Sequence, residues 1–116
     1  DTVPRVGPDT PLAEALLEMT RKGLGMTAIV DDAGQVIGIF TDGDLRRALD
    51  AAVDLRATPV RRVMTPAPRA INEQQLAAEA VALMDRHSIN ALLVTDTEGR
   101  LRGALNMHDL LRAGVL

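Results

Sequence analysis

The sequence predicts a mixed α/β (α+β) fold: two pseudo-symmetric β-α-β-β-α repeats, 1–52 and 67–116, joined by a connector, 53–66. Three observations lead there. The chain matches itself at an offset of 65 residues, so that 13–49 align without gaps on 78–114. Identical pairs fall at turn and junction positions, among them Asp31/Asp96, Gly34/Gly99, Gly38/Gly103, Asp44/Asp109 and Arg47/Arg112. Each copy alternates a stripe of apolar residues at helical spacing with short apolar runs ending in Gly or Asp. One such copy, of about fifty residues, is marginal alone. The halves are therefore expected to pack through their small sheets, share a core and line up equivalent loops along one cleft.

In the first copy, Thr10 is expected as N-cap with Pro11 at the first helical position, where its missing N–H costs nothing. Leu12, Ala15, Leu16 and Met19 then share one face, and Gly23 and Gly25 end the helix. Met26–Val30 reads as a buried strand, Asp31–Gly34 as a turn and Val36–Phe40 as a second strand, with a helix over Asp42–Ala52. Thr58-Pro59 is expected to cap one helical turn in the connector, where Val60, Val63 and Met64 give the segment something to bury. In the second copy, Asn72 with Gln75 resembles a capping pair. Leu76, Ala80, Leu83 and Met84 form the stripe, Ala91–Thr95 and Leu101–Leu105 read as strands, and a helix starts at Met107.

Composition narrows the function. Phe40 is the only aromatic residue apart from the histidines, and single-stranded nucleic acid binding leans on aromatic faces. The formal net charge is −3 with arginines dispersed among acids, the opposite of a phosphate-backbone stripe, so no nucleic-acid partner is expected. There is no cysteine, which excludes disulfides and thiolate metal sites and is compatible with the cytoplasm. No apolar run approaches the ~20 residues that cross a bilayer, and no membrane partner is expected. The chain begins at Asp1 without a Met, and a longer parent holding the chemistry is expected. His87 is read as a helix-end cation, and the methionines as core filler. With no third ligand beside His108 and Asp109, no metal site is expected; no nucleophile–base–acid set is visible, so no catalytic residue is assigned.

The informative spot is the junction between second strand and second helix: Gly38-Ile39-Phe40-Thr41-Asp42-Gly43-Asp44-Leu45, and Gly103-Ala104-Leu105-Asn106-Met107-His108-Asp109-Leu110. Local physics favours a capping box, Thr41 with Asp44 and Asn106 with Asp109. The same geometry also allows a ligand. Carboxylates here would repel a phosphate set among them but accept from neutral hydroxyls such as a ribose diol. A nucleotide would then be divided, ribose on Asp44 and phosphate toward Thr41 and Arg46 or Arg47. Copy two offers Asp109, Asn106, His108 and Arg112.

The duplication, the Gly38–Leu45 junction and the connector Val63-Met64-Thr65-Pro66 resemble CBS domains. Residues 17–26, 38–47 and 104–111 are similar to the C-terminal CBS pair of bacterial D-arabinose 5-phosphate isomerases. In that family a sugar isomerase domain precedes the pair and interconverts ribulose 5-phosphate and arabinose 5-phosphate for synthesis of Kdo, a lipopolysaccharide sugar. The resemblance implies a regulatory module that requires no cofactor and senses AMP, ATP, CMP or CMP-Kdo. It implies an upstream isomerase domain as partner and a homodimer of pairs within a larger oligomer. By position, Thr41 would contact phosphate and Asp44 ribose, while Gly25, Met26, Thr27, Ala28 and Asn90, Ala91, Leu92 would face the base. Phe40, Asp42, Met64 and Thr65 complete the expected site. Copy two departs from the pattern with Asn106 where Thr is usual, so the two sites need not bind the same ligand.

Overall fold

Apolar runs bounded by turn residues become strands in both repeats. The computed structural model describes residues 3–22, 25–66, 70–72, 77–86 and 91–106. The chain divides between Pro68 and Arg69 into two compact units.

In the first unit, β1 (Arg5–Val6) leads to α1 (Leu12–Lys22), then β2 (Met26–Val30), β3 (Val36–Thr41) and α2 (Asp42–Asp50). A single 3₁₀ turn (Val60–Arg62) and β4 (Thr65–Pro66) follow. The sheet order is β1-β2-β3-β4, with β1 parallel to β2 and the other pairs antiparallel. Pro66 sits on the sheet's edge strand, where a residue without an N–H is tolerated. Leu12, Ala15, Met19, Ile29, Phe40, Ala48 and Val60 form a buried cluster, with Leu16, Leu45, Val63 and Met64 packed against it. The helical stripe and the connector's apolar residues thus do what their spacing implies.

The helix starts differ from expectation. The Pro11 carbonyl accepts from Ala15 N at 3.1 Å, which makes Pro11 the N-cap of α1 in place of Thr10. The reason is tertiary. The first N–H groups of α1 find no partner within the helix, and Leu12 N donates to Thr58 O and Ala13 N to Leu55 O, both at 2.9 Å. Thr10 itself is tied back by its carbonyl, which accepts from Val60 N at 2.8 Å. Thr58 caps nothing through its side chain; the 3₁₀ turn has Pro59 as N-cap and no side-chain cap bond. At the end of α2, Ala52 N donates to Leu49 O and Val53 N to Ala48 O, a Schellman arrangement with Ala52 at φ 56°.

In the second unit, β5 (Ala70–Asn72), α3 (Ala77–Arg86), β6 (Ala91–Thr95) and β7 (Leu101–Asn106) give a sheet ordered β5-β6-β7, parallel then antiparallel. Ile71, Ala80, Met84 and Leu92 are buried together, with Leu83 against them. Asn72 ends β5 opposite Thr95. Gln75, Leu76, His87 and the helix expected from Met107 lie outside the described residues.

The two hairpins are near copies. Asp31 Oδ1 accepts from Ala33 N and Gln35 N, both at 2.9 Å; Asp96 Oδ1 accepts from Glu98 N at 2.8 Å and Arg100 N at 3.0 Å. Gly34 at φ 82° and Gly99 at φ 84° occupy the left-handed region, which explains why glycine stands at both. The register slips at Ile29/Val30 and again at Val94/Thr95, the same bulge in each repeat.

Candidate functional site

The β2–β3 register sets Met26 opposite Thr41, so the strand entry and the strand exit meet at one end of the first sheet. Gly25, at φ 71°, sits so close that an added Cβ would lie 3.5 Å from Asp42 Oδ2. This brings Gly25, Met26, Thr41, Asp42 and Asp44 into one place, as the sequence suggests. β6 and β7 repeat the arrangement with Ala91 opposite Asn106.

Asp44 is the centre of the first junction. It is 1% exposed and its carboxylate accepts from four groups. Oδ2 takes Thr41 N at 2.9 Å and Thr41 Oγ1 at 3.2 Å, and Asp44 N donates back to Thr41 Oγ1 at 3.4 Å. This is the reciprocal capping box of α2. Oδ1 accepts from Arg47 Nη2 and, at 2.9 Å, from Thr65 Oγ1. Arg47 is 70% exposed, so its pair with Asp44 is well screened. Thr65 is exposed on β4. A buried carboxylate needs such donors, because an unpaired one costs its full desolvation.

The remaining expected residues fall into three groups. Met26, Thr27, Ala28, Phe40 and Leu92 are buried. Thr27 Oγ1 donates to Ala15 O at 3.4 Å, tying β2 to α1. Met64 packs at the edge of the first core and lies over Gly38. Asn90, His108, Asp109 and Arg112 lie outside the described residues. The sequence reading missed that Arg47 and Thr65 both engage Asp44; an Asp and Arg three apart on a helix was the available signal for the first.

One open depression of about 450 Å³ lies elsewhere, lined by Gly7, Pro8, Asp9, Thr10, Asp31 and Asp32. Asp9 pairs there with Arg61 at 2.9 Å. Among the described residues, no three His, Asp or Glu side chains gather as a metal site would need. No helix among them is long and apolar enough to cross a membrane.

The family model of the CBS domain matches residues 1–51 and 60–116. The chain belongs to the CBS domain family. The two CBS repeats are 54% identical over 114 residues to arabinose 5-phosphate isomerase KdsD of Pseudomonas aeruginosa, covering 98% of this chain and 35% of that protein. The Escherichia coli K12 KdsD is 49% identical over 116 residues, again with 35% of its length covered. The chain therefore spans about a third of these curated relatives. Among solved structures, it resembles a CBS domain protein of Pyrobaculum aerophilum complexed with AMP, with TM-score 0.85, 19% identity and 98% and 92% of the two chains covered. At that identity the likeness shows the CBS-pair fold.

Proposed function

We propose that this CBS pair is the regulatory, ligand-sensing part of an arabinose 5-phosphate isomerase serving Kdo and lipopolysaccharide synthesis. The observation that carries the reading is the 54% identity to KdsD across nearly the whole chain. An upstream sugar isomerase domain would supply the catalytic residues, and the parent would be cytoplasmic. The ligand is an adenine or cytidine nucleotide, or a nucleotide-sugar such as CMP-Kdo. It binds at the strand-exit junction of the first repeat, its ribose diol donating to Asp44 and its phosphate facing Thr41 and Arg47. Two features support this: a buried carboxylate at the junction and a long, largely exposed cation beside it. The AMP seen in the Pyrobaculum CBS protein supports the nucleotide class. Coupling of about 1–3 kcal/mol to the isomerase would suffice for control.

A thermal-shift panel of AMP, ATP, CMP and CMP-Kdo tests it. Ligand at about a hundred times its Kd should add roughly 2.7 kcal/mol, on the order of 10 °C in Tm. Asp44→Ala should abolish the shift, measured from that variant's own lower Tm. Silence across the panel would sink the ligand reading. It would favour a dimerisation module, for which Leu17 and Leu49, 63% and 56% exposed on α1 and α2, are the supporting observation. Arabinose 5-phosphate turnover by this chain alone would contradict both.

A further inference from the structure

Both oxygens of Asp44 already have donors, and the two on Oδ1, Arg47 and Thr65, come from outside the capping box. These two occupants of Oδ1 differ in kind. Arg47 reaches it with a long, 70% exposed side chain that can swing into solvent without moving backbone. Thr65 reaches it with a short side chain fixed to β4, whose pairing with β3 sets Thr65 opposite Ile39 and Pro66 opposite Gly38. The Thr65 hydroxyl can leave Asp44 in two ways, by turning about its own side-chain bond or by moving with β4. β4 is also the last described strand before the chain enters its second unit.

We infer that Thr65 is an internal occupant of the ligand's carboxylate, a tie between β4 and the start of α2 that a ligand on Asp44 must break. The inference rests on the nucleotide reading for what does the breaking, not for the tie itself. A ligand hydroxyl that replaces Thr65 exchanges one charge-assisted hydrogen bond for another, and β4 loses its side-chain anchor. Binding and β4 release are then linked, and linkage is reciprocal. Weakening the tie must strengthen binding.

Thr65→Val keeps the shape and removes the donor; Thr65→Ser keeps the donor and serves as the control. Without ligand, Thr65→Val should speed hydrogen exchange at the amides of Val63, Met64 and Thr65 on the order of tenfold, and Thr65→Ser should restore it. AMP should bind the Thr65→Val chain on the order of tenfold more tightly than wild type, and AMP added to wild type should speed exchange in the same segment. Weaker AMP binding by Thr65→Val would make Thr65 a ligand contact and overturn the tie. Wild-type exchange that AMP leaves unchanged or slows would also overturn it, since the hydroxyl would then turn aside without freeing the strand. If neither chain binds AMP, the nucleotide reading fails and ligand-free exchange alone decides: acceleration in Thr65→Val upholds the tie, no change overturns it.

Discussion

Gly38 and Gly103 hold equivalent places in the two repeats, each at the centre of a strand running from the same bulged hairpin toward the same junction. Their surroundings are not equivalent. A Cβ on Gly38 would overlap Met64 Sδ and approach Met64 Cγ to 3.0 Å; among the described residues nothing comes within 4 Å of a Cβ on Gly103. The cause is the connector. The first sheet gains β4, which brings Met64 over Gly38, while among the described residues the second sheet has three strands. An identical residue in duplicated halves can thus meet a steric demand in one that the described part of the other does not make.

The sharpest way to break that comparison is to add the methyl group at both sites. Gly38→Ala should cost about 1–2 kcal/mol in denaturant unfolding, because Met64 must leave its place against the first core. Gly103→Ala should stay within about 0.5 kcal/mol of wild type. A smaller second residue should rescue the first variant, so Gly38→Ala with Met64→Ala should be less destabilised than the two single costs combined. Equal costs at the two glycines would mean that β4 does not set the difference.

A smaller effect sits at the end of α2. Ala52 holds φ 56° at a position where glycine is usual, so Ala52→Gly should raise stability by about 0.5 kcal/mol, read as a higher denaturation midpoint. The subtlest effect separates the hairpins. Asp96 faces Arg100 where Asp31 faces Gln35. The Arg100 backbone N–H, then that of Glu98, and the Arg100 guanidinium hold the Asp96 carboxyl below the usual aspartate value. Because the folded value is lowered, the stabilisation is present above the unfolded value of about 3.9 and lost as pH falls through the folded one. Asp96→Asn should therefore flatten the acid limb of stability measured from pH 5 downward. An unaltered limb would show that the lowered Asp96 carboxyl adds nothing to stability in acid.

The parts legible in the sequence were those fixed by near neighbours. Asp31 to Gln35 and Asp96 to Arg100 close their turns within five residues, and Thr41 with Asp44 closes the capping box within four. Such patterns carry their own partners in the string. What stayed hidden was carried by distant or featureless groups. Thr65 meets Asp44 from 21 residues away, and a Pro in the pair Thr65-Pro66 reads as a strand breaker until an edge position is available. The partners of Leu12 N and Ala13 N are carbonyls of Thr58 and Leu55, and a carbonyl looks the same on every residue. Thr10-Pro11 carried the expected start signal of a helix, yet the helix took its first donors' partners from another part of the chain.

Those two carbonyls also make the stretch from Asp54 to Pro59 something like a ruler. It must deliver Leu55 and Thr58 to fixed points at the start of α1 and then Val60 N to the carbonyl of Thr10. Surface segments of this composition normally accept extra residues cheaply, but here an insertion of even one would slide acceptors out of step with their donors. Length, more than side-chain identity, is what selection would be expected to preserve there.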